Sequence, residues 1–65
     1  MRLGEKIKKL RQEKQMSQEA LARKALISLS YLFKIEKNIH SPTFDVITRI
    51  AKALNTSLDS LSEED

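Results

Sequence analysis

Apolar residues recur along this chain at helical spacing rather than in the alternation of a strand. Leu3, Ile7 and Leu10 stand at i, i+4 and i+7 and predict a first helix over about residues 2–14. Glu5 and Lys9 add an i, i+4 pair on its outer face, worth roughly 0.2–0.5 kcal/mol. Gln15 and Met16 form the link, with Met16 as apolar packing. A second helix follows Ser17, a hydroxyl suited to accept from an orphan backbone N–H. It carries Glu19 in its first turn and buries Leu21, Ala22 and Ala25, whose small side chains let another helix cross closely. Ser28 caps a third helix, predicted over residues 29–37, with Leu32 and Ile35 facing inward and Ile27 leading into the same core. Residues 38–42 read as a loop in which Asn38 suits a left-handed stop. Thr43 caps a fourth helix with Asp45 in its first turn, an apolar face of Phe44, Ile47, Ile50, Ala51 and Leu54, and Asn55 at its end. Ser57 caps a last short helix bearing Leu58 and Leu61. The fold class is therefore all-α, with five helices in one domain over residues 1–62 and a polar tail at 63–65.

Composition narrows the function classes. At 65 residues there is room for one small core. The chain has no Cys and one His, which removes disulfides, thiolate zinc sites and cysteine nucleophiles and leaves no metal cluster or nucleophile–base pair for an enzyme. The expectation is a protein without metal or cofactor, at home in a reducing cytoplasm. No apolar run approaches the roughly 20 residues of a membrane span.

Charge is distributed unevenly. Residues 1–40 hold ten Lys or Arg against four acids, whereas residues 41–65 hold two against five. A basic surface near the second and third helices suits a polyanion, although a solvated cationic face gives the same count. The two caps at Ser17 and Ser28 leave only residues 18–27 for one short helix and a bend. Helices this close cross steeply, and one of them is left standing proud, as a helix that enters a DNA groove must be.

On a helical wheel Ser30, Phe33, Lys34 and Lys37 form the outward stripe of the third helix, with Leu29 at the margin of the core. In a major groove, Leu29, Ser30, Phe33 and Lys34 are the candidate base contacts. Ser30 donates or accepts, Phe33 offers apolar contact to a thymine methyl, and Lys34 reaches guanine acceptors. Lys14, Ser17, Gln18, Lys37, Asn38 and His40 are the candidate phosphate contacts. Gln18 stands out among them because backbone N–H groups at a helix start also favour an anion. Each has a plainer alternative: Ser30 as a second capping hydroxyl, the lysines as solvated surface, His40 as a loop residue.

The positions Gln18, Leu21, Ala22, Ile27, Ser28, Ser30, Leu32, Ile35, Glu36 and Pro42 together resemble the Cro and phage-repressor type helix-turn-helix family. Leu3, Ile7, Leu10 and Arg11 match its first helix; Ile50, Ala51, Leu54, Ser57, Leu58 and Leu61 match its last two. The resemblance implies a compact, lambda-repressor-like five-helix domain that binds double-stranded DNA in a sequence-specific way as a homodimer, usually for repression. It also implies that Arg11 and Glu36 form a partly buried ion pair tying the first helix to the third. Dimer contacts are expected from Leu58 and Leu61.

Four positions depart from the family pattern. Leu26 stands at a corner where Gly is common, and a left-handed Leu costs roughly 1–2 kcal/mol. Asn38 replaces a second common Gly. Leu29 and Phe33 are apolar where base-reading members are usually polar, which opens an alternative: a protein-interaction module, anti-repressor or antitoxin-like, that uses Leu29, Phe33 and Ile39 as its contacts.

Overall fold

The computed structural model describes residues 2–61 and consists of four α-helices and one 3₁₀ turn. They are α1 (Leu3–Glu13), α2 (Gln18–Ala25), α3 (Leu29–Glu36), α4 (Phe44–Ala53) and the turn Leu58–Leu61. The expected domain limit at 62 and the tail at 63–65 lie outside the described residues.

Local chemistry sets each helix start. The Ser17 hydroxyl accepts from the Ala20 N–H at 3.0 Å, the Ser28 hydroxyl from Tyr31 at 3.1 Å and the Thr43 hydroxyl from Val46 at 3.2 Å. At the head of α1, the Glu5 carboxylate turns back to accept from the Arg2 N–H at 3.4 Å. A lost cap of this kind costs about 1 kcal/mol.

The helix ends share one device. Gln15, Leu26, Asn38 and Asn55 all adopt positive φ, between 55° and 61°. At each, the next residue's N–H closes a long loop back to the helix: Met16 to Arg11 O, Ile27 to Ala22 O, Ile39 to Lys34 O and Thr56 to Ala51 O, all at 2.9–3.0 Å. This is the Schellman closure usually built on Gly. Asn38 and Asn55 agree with the stops read from the sequence. Leu26 keeps the left-handed geometry in spite of its side chain, and Gln15 carried no signal.

The core is a single cluster in which Ile7, Leu21, Leu32, Ile35, Ile50 and Leu54 are fully buried. Ala22, Ala25 and Ala51 are buried beside them and allow α2 and α4 to approach closely. Three expectations need correction. The fifth helix is a four-residue 3₁₀ turn, closed by the Ser60 N–H on Ser57 O at 3.2 Å, because so short a segment closes i to i+3. Phe44 is 72% exposed, because the buried row of α4 runs through Val46, Ile50 and Leu54 and Phe44 stands about a third of a turn from its middle. Leu61 is only 3% exposed and belongs to the protein's own core, so of the two residues expected at a dimer contact only Leu58, at 39%, is accessible.

Candidate nucleic-acid interface

α3 is held from behind by a polar cluster as well as by its apolar face. Arg11 of α1 forms a two-bond fork with Glu36, Nε to Oε2 at 2.8 Å and Nη2 to Oε1 at 3.1 Å, with both residues buried. Its remaining nitrogen, Nη1, donates to the Met16 carbonyl at 2.9 Å, which fixes the link between α1 and α2. The Gln18 amide completes the cluster, donating to Glu36 Oε1 at 3.0 Å. Buried charges persist when paired and bonded in this way. One proton of the Gln18 amide is therefore committed inward, and what it offers outward is the rest of the amide and the start of α2.

A second seam lies at the same, C-terminal end of α3, two residues beyond Glu36. The Asn38 side-chain oxygen accepts from the Gly4 N–H at 3.0 Å. The chain's single glycine makes this approach possible: a Cβ at residue 4 would fall on the carbonyl oxygen of Ile35 and stand 2.7 Å from that of Glu36. Asn38 is thus a tie between α1 and the end of α3 before it is a phosphate contact. No local pattern announced the Gly4–Asn38 pairing, because its partners are 34 residues apart.

With its back secured, α3 turns Leu29, Ser30, Phe33 and Lys34 to solvent, and Lys37 follows at its end. Lys37 Nζ stands 5.4 Å from the centre of the Phe33 ring, a cation–π contact worth about 0.5–1 kcal/mol at an exposed site. The Ser30 hydroxyl lies 3.4 Å from that of Ser28. His40 is held beside the helix by an edge-on contact with Tyr31, ring centres 6.0 Å apart. Ser17 and Lys14 are exposed at the junction of α1 and α2. The structure therefore gathers Leu29, Ser30, Phe33, Lys34 and Lys37 on one face, with His40 alongside. Gln18 and Asn38 serve partly as internal ties.

Sequence reasoning passed over Arg49. Its Nη1 donates to the Leu26 carbonyl at the corner between α2 and α3, at 3.1 Å, and its Nε lies 3.3 Å from the Asp45 carboxylate one turn earlier. The i, i+4 spacing of Asp45 and Arg49 was the available signal. Among the described residues no group of three His, Asp or Glu is placed to hold a metal ion, and no helix is long and apolar enough to cross a membrane.

Two short helices meeting at a left-handed corner, the second braced from behind and bare in front, define a small helix-turn-helix domain. The helix-turn-helix family model matches residues 7–61, and the chain belongs to this family. The immunity repressor protein of Bacillus phage phi105 is 34% identical over 65 residues, covering 100% of this chain and 45% of that protein. The solved N-terminal DNA-binding domain of SinR from Bacillus subtilis superposes with a TM-score of 0.86 at 32% identity, covering 97% of this chain and 96% of that one. The P22 c2 repressor, solved in complex with a synthetic operator, superposes with a TM-score of 0.90 at 26% identity, covering 100% of this chain and 98% of that one. The chain spans about half the length of the curated relatives it matches.

Proposed function

We propose that this chain is the DNA-binding part of a transcriptional repressor, reading double-stranded DNA with α3 in the major groove. The observation that carries the reading is the outward face of α3: Leu29, Ser30, Phe33 and Lys34 are exposed together on a helix that a buried ion pair and an apolar core hold rigid. Ser30 and Lys34 present hydrogen-bonding groups to base edges, while Leu29 and Phe33 present apolar surface to thymine methyls. Lys14, Ser17, Lys37 and His40 meet the phosphates flanking the site, joined by the free part of the Gln18 amide and by Asn38. Binding as a homodimer, with Leu58 at the contact, sets two recognition helices about 34 Å apart on half-sites one helical turn apart. The protein works in the cytoplasm, without enzymatic activity or cofactor, as a unit over residues 1–62 with 63–65 as a polar tail.

Selection from a random duplex library, followed by titration of the recovered sequence against salt, tests this. The reading expects a recurrent palindrome and an affinity that falls steeply as salt rises. A second reading has one observation in its favour: Leu29 is 44% exposed and Phe33 46% exposed, with Ile39 also open to solvent. On that reading the face binds a protein. Recovery of no preferred sequence, together with a flat salt response, selects it over the first.

A further inference from the structure

The corner between α2 and α3 contains only three residues, Leu26, Ile27 and Ser28, and the first of them is poorly suited to its conformation. Leu26 has φ 59° and ψ 45°, a left-handed geometry in which a Cβ crowds the following carbonyl. The residue is 76% exposed, so burial offers little compensation. The backbone N–H groups of the corner are used locally: Leu26 donates to Arg23 O at 3.2 Å and Ile27 to Ala22 O at 3.0 Å. The Leu26 carbonyl has no part in those two bonds, and Arg49 reaches across from α4 to take it at 3.1 Å. Asp45 lies against the same guanidinium from one turn earlier on α4. α4 is in turn fixed in the core through Val46, Ile50 and Leu54.

We propose that Arg49 is a positioning residue for DNA recognition: it holds the peptide plane at Leu26 and so sets the direction in which α3 leaves the corner. Ser28, the cap of α3, lies two residues beyond Leu26, so rotation at this carbonyl swings the whole outward face. Arg49 acts through the corner and not through DNA. Where a glycine corner adopts the left-handed geometry without steric cost, this chain ties a strained leucine corner to the helix behind it. The inference rests on the DNA-binding reading above.

The test compares wild type, Arg49→Ala, Leu26→Gly and the double variant on the duplex recovered by selection, well below every melting midpoint. Arg49→Ala is expected to weaken binding about tenfold, the loss of one charged hydrogen bond. The slope of log affinity against log salt stays at the wild-type value, because no phosphate contact is removed. Leu26→Gly in the Arg49→Ala background recovers most of the lost affinity, and the Ile27 amide exchanges faster in Arg49→Ala than in wild type. Unchanged affinity in Arg49→Ala overturns the proposal. So does a salt slope reduced by about 1, which marks Arg49 as a phosphate contact. A loss that Leu26→Gly does not relieve also overturns it, because Arg49 then serves overall stability alone. If wild type binds no duplex, the DNA reading fails by itself. Exchange at Ile27 then decides whether Arg49 holds the Leu26 corner, with faster exchange in Arg49→Ala supporting it and an unchanged rate refuting it.

Discussion

The two faces of α3 obey different rules. The inner face carries Leu32, Ile35 and Glu36, each buried and each matched to a partner: an apolar core for the first two, Arg11 and Gln18 for the third. The outer face carries Leu29, Ser30, Phe33 and Lys34, open to solvent, with Lys37 at its end. Folding dictates the first set, because an unmatched group there leaves a void or an unpaired charge. Little within the fold dictates the second. A helix of eight residues is too short to persist alone in water, so α3 depends on its inner face to exist and is free to use its outer face for something else.

If that division is right, substitutions on the two faces separate cleanly, and the largest effect belongs to the inner cluster. Glu36→Ala leaves a buried guanidinium without its carboxylate and should cost about 3–5 kcal/mol in urea unfolding. Replacing both partners, Arg11→Met with Glu36→Leu, should cost less than the single change. A double variant less stable than the single one would mean that the pair supports more than itself. Gly4→Ala comes next, at roughly 1–3 kcal/mol, because the added methyl collides with backbone carbonyls that cannot swing away. A neutral or stabilising result would show that α1 can lift off the end of α3 at no cost. Ser28→Ala removes the cap of α3 and should lower stability by about 1 kcal/mol, read as a shift in thermal midpoint. Lys34→Ala, on the outer face, should change stability by no more than about 0.5 kcal/mol.

The same division explains what the sequence disclosed. Three of the helix starts were legible because the signal is local: a hydroxyl at Ser17, Ser28 or Thr43 followed by an apolar stripe. The apolar inner residues of α3, Leu32 and Ile35, were legible from their spacing, and so was the outward stripe of Ser30, Phe33, Lys34 and Lys37. The seams that orient α3 were not read from the residues themselves. The Arg11–Glu36 pair came only with the family resemblance, and the Gly4–Asn38 tie joins positions that share no pattern. Leu61 illustrates a general ambiguity. An apolar residue near a chain end announces that it will be covered, without saying whether the cover is its own core or a second copy. Leu26 illustrates another: the steric cost of its conformation was foreseeable, but the arginine beside its carbonyl comes from a helix that begins 18 residues later.

The central claim is that the outer face of α3 carries function and not folding. The most direct measurement pairs, on one variant, Lys34→Ala, a urea unfolding curve with a duplex titration at fixed salt. Lys34→Ala should keep its unfolding free energy within about 0.5 kcal/mol of wild type and lose about 1–3 kcal/mol of binding, roughly five- to 150-fold in affinity. Equal affinity for the duplex, or a binding loss matched by an equal loss of stability, contradicts the claim.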